Sequence, residues 1–165
     1  MQQANTEHFE FIESSAELME EHGFPRMAGR VVGALLLHDP PHMSHDELAK
    51  LLQASKGSIS MSTQLLVRMN ILERLSIPGQ RRSYYRLRDN LWQDFLTDII
   101  DHVERERKVV LKGLEVLKDE PVDTKRRLIE MLVVSDFMSA EWPGLLERWR
   151  NRRTELLEKR LEELA

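Results

Sequence analysis

Residues 44–88 read SHDELAKLLQASKGSISMSTQLLVRMNILERLSIPGQRRSYYRLR, and the punctuation of this stretch decides the fold. Ser44 followed by Glu47 is an S-x-x-E capping box, which opens a short helix carrying Leu48, Leu51 and Leu52. A break at Gln53-Ala54 separates it from a second helix, for which Ser55 and Ser58 are both suitable caps. On that helix Ile59, Leu66 and Met69, with Thr63 between them, mark the expected buried face, and Asn70 suits the left-handed position at its end. Leu72, Leu75 and Ile77, then Tyr84, Tyr85 and Leu87, suit two short strands around a turn at Pro78-Gly79. Helix, tight turn, helix, strand, basic turn, strand is the order of a winged helix-turn-helix, whose second helix is of a size to enter a DNA major groove.

The charge distribution supports this reading although the total does not. The chain of 165 residues carries a net −4, which taken alone disfavours a polyanion partner. Between Ser55 and Arg88, however, Lys56, Arg68, Arg74, Arg81, Arg82, Arg86 and Arg88 face the single acid Glu73, a surplus of +6 that leaves −10 on the other 131 residues. Such segregation is the footprint of a phosphate-binding face on an acidic body. The plainer alternative is a basic surface patch with no polyanion partner.

Outward from this segment the chain reads as helical. Asn5 or Thr6 is positioned to cap a first helix with Phe9, Ile12, Ala16 and Met19 as its apolar stripe and Glu10, Glu13, Glu17, Glu20 and Glu21 on the other side. Gly23 ends it, and Pro25 suits the first turn of a second helix from Arg26 to about His38. That helix is apolar nearly all round and is therefore expected to be central and buried, with Gly29 and Gly33 letting a neighbour approach closely. Asp39-Pro40-Pro41 stops it. Asp89 reads as the cap of a long helix from Asn90 towards Leu117; a further helix follows over 124–140, a break at Trp142-Pro143-Gly144, and a last helix over about 145–164. The expected fold is mainly α with a small β-hairpin: a winged helix-turn-helix core plus long flanking dimerisation helices. The expected divisions are an N-terminal packing or dimerisation helix (1–24), a DNA-binding domain (25–88) and a helical dimerisation and effector region (89–165).

Several function classes are disfavoured. With no cysteine there is neither a disulfide framework nor a thiolate metal site. No apolar run approaches the roughly 20 residues needed to span a bilayer, so no membrane partner is expected. The N-terminal MQQANTEHFE lacks the apolar core of a secretory signal, which makes the cytoplasm the expected compartment. Walker, G-x-S-x-G, HExxH and dinucleotide fingerprints are all missing, so neither catalytic residues nor a cofactor are expected. His38, Asp39, His42, His45 and Asp46 crowd one loop, but their spacing matches no established ligand signature, and no metal is assigned to them.

If Ile59 and Leu66 face the core, Lys56, Ser60, Met61 and Gln64 lie on the other side of the second helix. Gln64 has the chemistry to read adenine, Met61 to pack on a thymine methyl, and Lys56 to meet a phosphate at the helix start. Gly57 allows close backbone approach, and Arg68 joins the basic residues of this helix. The turn Pro78-Gly79-Gln80-Arg81-Arg82 is the candidate wing, its arginines suited to a minor groove. An ordinary polar helix face and a solvated basic turn are the bland alternatives. The aromatics Trp92, Phe95, Phe137, Trp142 and Trp149 form a candidate cage for a small-molecule effector, or else fill the core and the dimer seam. Trp142 and Trp149 share a face only if their helix is continuous.

The segments GFPRMAGRVVGALLLHDP, LAKLLQASKGSISM and PGQRRSYY resemble the GbsR-like branch of the MarR superfamily of transcriptional regulators, over roughly residues 20–90. The resemblance implies a winged-helix homodimer that binds a pseudo-palindromic operator in double-stranded DNA. It points to Ser55, Lys56, Gly57, Ser58 and Ser60 as the start of the recognition helix and to Gly79, Arg81 and Arg82 as the wing. The expected function is a homodimeric repressor modulated by a small ligand. The competing expectation is a winged-helix scaffold that binds another protein and no specific DNA.

Overall fold

A computed structural model describes residues 2–165, the side chains from Thr6 onward. The chain forms two compact units, one ending at Leu91 and the other running from Trp92 to Ala165. The first contains α1 (Gln2–Glu21), α2 (Arg26–Leu37), β1 (Met43–Ser44), α3 (His45–Leu51), α4 (Lys56–Arg68), β2 (Leu72–Ser76) and β3 (Ser83–Leu87). The strands form one antiparallel sheet in the order β1-β3-β2, with Met43 opposite Tyr85 and Leu75 opposite Tyr84. This is a winged helix-turn-helix with an extra helix, α1, laid against α2.

One core holds the unit together. Ile12, Val31, Leu35, Met43, Leu48, Ile59, Leu66, Leu72 and Tyr85 belong to a single buried cluster, so every element of the unit contributes to it. The spacing on α4 explains its orientation: Ile59, Thr63 and Leu66 are fully buried, while Met61, Gln64 and Arg68 face solvent. The capping box forms as its sequence implies. Ser44 accepts from the Glu47 backbone N–H at 3.4 Å, and the Glu47 carboxylate accepts from the Ser44 backbone N–H at 2.7 Å. Ser55 caps α4 by accepting from the Ser58 N–H, and Asn70 takes the left-handed conformation at φ +56°.

The close approach expected at Gly29 and Gly33 is made by α1. A Cβ on Gly29 would lie 2.6 Å from the Ala16 Cα and 2.9 Å from the Ser15 carbonyl oxygen. Charge fastens the same pair of helices: Arg26 reaches Glu13 at 2.8 Å and Glu20 at 3.2 Å, and Arg30 also pairs with Glu13. Burial would raise the Glu13 carboxyl, but the hydrogen bonds from the two arginines outweigh it and hold it below its ordinary value.

The second unit is an antiparallel pair, α5 (Leu91–Val116) and α6 (Val122–Leu164). Gly113 lies against Leu128, Arg107 pairs with Asp136 at 2.6 Å, Ser139 donates to Glu104 at 2.7 Å, and the Trp142 indole donates to the Leu96 carbonyl at 2.9 Å. The described contacts with α5 reach as far as Arg153, which meets Gln93. Beyond it Leu157, Leu161 and Leu164 are exposed.

The structure corrects several sequence expectations. α1 already includes Asn5 and Thr6, because the preceding Gln2-Gln3-Ala4 are good helix formers and continue the turn. Pro25 is the cap of α2 rather than a residue of its first turn. α2 is not buried all round: Leu36 and Leu37, at its end, are exposed. Met69 is 53% exposed, since α4 ends at Arg68 and the left-handed Asn70 turns the chain so that Leu72 takes the next core position. Ile77 falls outside β2, and Asp89 is not adjacent to the first residue of α5; its carboxylate instead pairs with Arg86 at 3.3 Å. α6 runs unbroken through Pro143, where two helices were expected. A proline removes one helix hydrogen bond and crowds one turn; here the buried Leu146 and the Trp142–Leu96 bond anchor the helix on either side of that fault.

Gly29→Ala should destabilise the protein by about 1–3 kcal/mol, because backbone rather than a flexible side chain must move. Gly57→Ala, whose nearest neighbour would be the Ser55 Oγ at 3.9 Å, should stay within about 0.5 kcal/mol of the parent. Urea unfolding midpoints compare the two; equal losses would show that the α1–α2 contact is not tight.

Candidate nucleic-acid interface

Burying one stripe of α4 dictates what the opposite face presents. Lys56, Gly57, Met61, Gln64 and Arg68 are exposed along it, with Met61 at 73%, and Ser58 and Ser60 are half-buried at its edge. The Gln64 side-chain amide donates to the Ser60 hydroxyl at 3.1 Å, which steadies its carboxamide on the surface. Ser55 is exposed but its hydroxyl is committed to capping.

The turn between β2 and β3 is built by Pro78 followed by Gly79 at φ +81°, with the Gln80 N–H donating to the Ile77 carbonyl at 3.0 Å. Proline then a positive-φ glycine is the type II signature. It leaves Gly79, Gln80, Arg81 and Arg82 exposed at the tip and edge of the hairpin. At its base Arg74 donates to the Ser83 hydroxyl at 2.8 Å, and Arg86 pairs with Glu73 directly across the strands.

The two elements meet through Asp46, in the first turn of α3. Its carboxylate lies 2.6 Å from the Lys56 Nζ and 3.8 Å from an Arg82 nitrogen. The hydrogen bond from Lys56, then that residue's charge, and less strongly Arg82, hold the Asp46 carboxyl below its ordinary value. Beside it is an open polar cleft of about 390 Å³, lined also by Ser44, His45, Arg74, Ser83 and Tyr85. Thus Lys56 from the helix and Arg82 from the wing converge on one point, with Arg81 next to it in the chain. Arg68 and Arg81 make no ion pair among the described residues.

His45 locks the helix-turn-helix angle from beneath. Its ring stacks on Tyr85 at 4.6 Å with planes 8° apart, and its Nε2 lies 2.8 Å from the Thr63 hydroxyl. Thr63 spends its own proton on the Ile59 carbonyl at 2.9 Å, so the imidazole is the donor and the network assigns its proton to Nε2. One side chain thereby ties α3 to α4 and β3.

Three features of this site were not read from the sequence. β1 is two residues long, too short for an alternation signal. Asp46 lies outside the basic stretch 55–88. His45 stands in a histidine-rich loop in the sequence, and its signal is its place directly after the capping Ser44. The neighbouring histidines are engaged separately: His38 with the Pro40 carbonyl and His42 edge-on to Tyr84. Among the described residues no group of three or more His, Cys, Asp or Glu could hold a metal ion.

Trp142 and Trp149 share a face of the continuous α6 and enclose, with Leu96, Leu145 and Leu146, a space of about 20 Å³. That admits one water rather than an organic cation, and the Trp149 indole nitrogen is buried there without a partner among the described residues. Trp92, Phe95 and Phe137 are 67%, 56% and 64% exposed.

Burial, and next the charge of Arg74, disfavour the His45 imidazolium; Asp46 opposes them more weakly, and the ring's pKa falls below its ordinary 6.5. The unfolded chain therefore takes up the proton first. Stability should be full above pH 6.5 and decline as pH falls through the folded value. His45→Gln should lose this part of the pH dependence in urea unfolding midpoints; an unchanged profile would mean the ring titrates as it does in the unfolded chain.

Comparison with known proteins places this geometry. Residues 90–152 match the family described as MmpR5-like MarR family transcriptional regulators. The chain is 35% identical over 143 residues to the HTH-type transcriptional regulator MmpR5 of Mycobacterium tuberculosis (strain ATCC 25618 / H37Rv), spanning 87% of each. It is 28% identical over 104 residues to the HTH-type transcriptional repressor GbsR of Bacillus subtilis (strain 168), covering 63% of this chain and 57% of that protein. A crystal structure described only as a transcriptional regulator superposes with a TM-score of 0.76 at 34% identity, covering 88% of this chain and 99% of that one.

Proposed function

The chain belongs to the MarR family of winged-helix transcriptional regulators, and from that premise we propose that it is a homodimeric repressor that grips a pseudo-palindromic operator with α4 and the β2–β3 wing. DNA binding and transcriptional regulation come with the family. Within it, likeness to the GbsR-like branch rests on the 28% identity to the B. subtilis repressor. The MmpR5-like group has the stronger claim, on 35% identity over more of the chain.

The observation that carries the reading is the convergence of Lys56 and Arg82 at Asp46, which sets the recognition-helix start beside the wing. Such a pairing suits a duplex: side chains of α4 reach base edges in the major groove while the wing arginines follow the backbone or the adjacent minor groove. In this reading Ser55, Lys56, Gly57 and Ser58 approach a phosphate at the helix start, Ser60, Met61 and Gln64 face bases, and Arg68, Gly79, Gln80, Arg81 and Arg82 complete the contact. No residue has a catalytic role, and the regulator works in the cytoplasm, where its DNA is; no helix among the described residues is long and apolar enough to cross a membrane.

The exposed Leu157, Leu161 and Leu164 of α6, and the exposed Val109 of α5, support dimerisation through the second unit. Two recognition helices must then stand about one DNA turn, roughly 34 Å, apart. A ligand of the second unit would regulate by favouring one spacing over another, in proportion to its difference in affinity for the two; of its aromatics the exposed Trp92, Phe95 and Phe137 are open to such a ligand, while the gap at Trp142 and Trp149 holds no more than a water.

Gel-shift titrations with fragments flanking its own gene, across a salt series, test the reading. Tight binding to one fragment that weakens steeply with salt is expected; no retention of any fragment at low salt would leave a scaffold that binds protein instead. Arg82→Ala should weaken binding to every sequence and reduce the slope of log K against log salt by about 0.9 for each chain bound; an unaltered slope removes Arg82 from the wing contact. Gln64→Ala should relax discrimination at one base pair of the operator by about 1–3 kcal/mol, whereas equal losses on operator and random DNA would deny it a base-reading part.

A further inference from the structure

Asp46 is an acid set into the face that, on the reading above, meets phosphate. Folding alone does not account for it. Its partners are wet, the Lys56 side chain 78% exposed and that of Arg82 62%, and exposed ion pairs of this kind add little to stability. The start of α3 is already capped by Ser44 and Glu47, which satisfy one another without Asp46. What the carboxylate does is occupy the space between one cation of α4 and one of the wing. A backbone phosphate presents the same features there: a single negative charge and oxygens that accept from an ammonium and a guanidinium.

We propose that Asp46 is a built-in competitor for phosphate: in the free protein its carboxylate takes the place between Lys56 and Arg82 that the DNA backbone takes in the complex, and so limits how tightly the face grips any duplex. Binding then requires Lys56 and Arg82 to exchange carboxylate for phosphate, and leaves an anion facing the backbone. Non-specific affinity is almost wholly electrostatic, so it shows this penalty directly. At an operator the same penalty applies, beneath the further affinity that base contacts from α4 supply. The inference rests on the DNA-binding reading, and it identifies Asp46 as a residue that lowers affinity for every duplex alike without touching a base.

Asp46→Asn keeps the size of the side chain and removes its charge. Fluorescence-anisotropy titrations of a random-sequence duplex and of the operator fragment, from low to moderate salt, compare it with the parent chain and with Asp46→Glu. One anion fewer per chain should tighten binding of the random duplex and of the operator alike, roughly eightfold for each chain bound at about 0.1 M salt, and steepen the salt slope by about 0.9 per chain bound. Asp46→Glu should behave like the parent in both titrations, and all three chains should stay folded, the urea midpoint of Asp46→Asn falling only slightly with the loss of a first-turn charge and two exposed ion pairs. Weaker binding of both duplexes by Asp46→Asn would overturn the proposal and make the carboxylate a device for positioning Lys56 and Arg82. Unchanged affinity and slope would overturn it as well, as would a loss of the fold in Asp46→Glu, which would make the residue structural. If neither the parent nor the variants bind any duplex, the DNA-binding reading itself fails and takes the proposal with it; binding by the parent with no response in Asp46→Asn sinks the proposal alone.

Discussion

Burial of a single stripe along α4 is the constraint from which the rest of the first unit follows. Ile59 and Leu66 pack into a cluster that also holds Val31 and Leu35 of α2, Leu48 of α3, Leu72 of β2 and Tyr85 of β3, and Thr63 is buried on the same stripe. A helix seated on three sides in this way cannot rotate about its axis without exposing that stripe. The orientation of Lys56, Met61, Gln64 and Arg68 is therefore set by the core rather than by any property of the exposed residues themselves. The polar contact of Thr63 with His45 refines the seating, because a hydrogen bond fixes direction where apolar packing fixes mainly depth.

Electrostatics acts at the rim of this packed body. A surplus of positive charge in one segment is a statement about attraction at a distance, and it supports encounter with a polyanion. Contact depends on which cations are already engaged. Arg86 is held by Glu73 across the sheet, Arg74 by the Ser83 hydroxyl, and Lys56 and Arg82 by Asp46. Charge counted along the chain thus overstates what the surface offers at rest. The distribution of partners, rather than the sum, separates residues that brace the wing from residues available to a ligand.

Much of the first unit was legible from local chemistry. The Ser44–Glu47 box, the Ser55 cap, the left-handed Asn70, the Pro78-Gly79 turn and the close approach at Gly29 each depend on atoms a few residues apart or on the missing Cβ of one residue. The features that were not legible depend on residues far apart in sequence. β1 exists because Met43 and Ser44 find Tyr85 and Tyr84. Met69 is exposed because the chain turns after it. Pro143 sits within a continuous helix because neighbouring turns are anchored to α5, and a local rule against proline has no access to that contact.

The amino-acid order by itself determined where helices start and stop in the winged core, which side of α4 is apolar and where the basic residues cluster, since caps, periodicity and charge are short-range properties of a chain. Only the tertiary structure decided that Asp46 joins Lys56 to Arg82, that His45 stacks on Tyr85 of β3 and bonds to Thr63 of α4, and that the aromatics of the second unit are split between a water-sized gap and open surface. Pairings of that kind have no period and no fixed spacing. They arise when a common core brings distant segments within a hydrogen bond's reach.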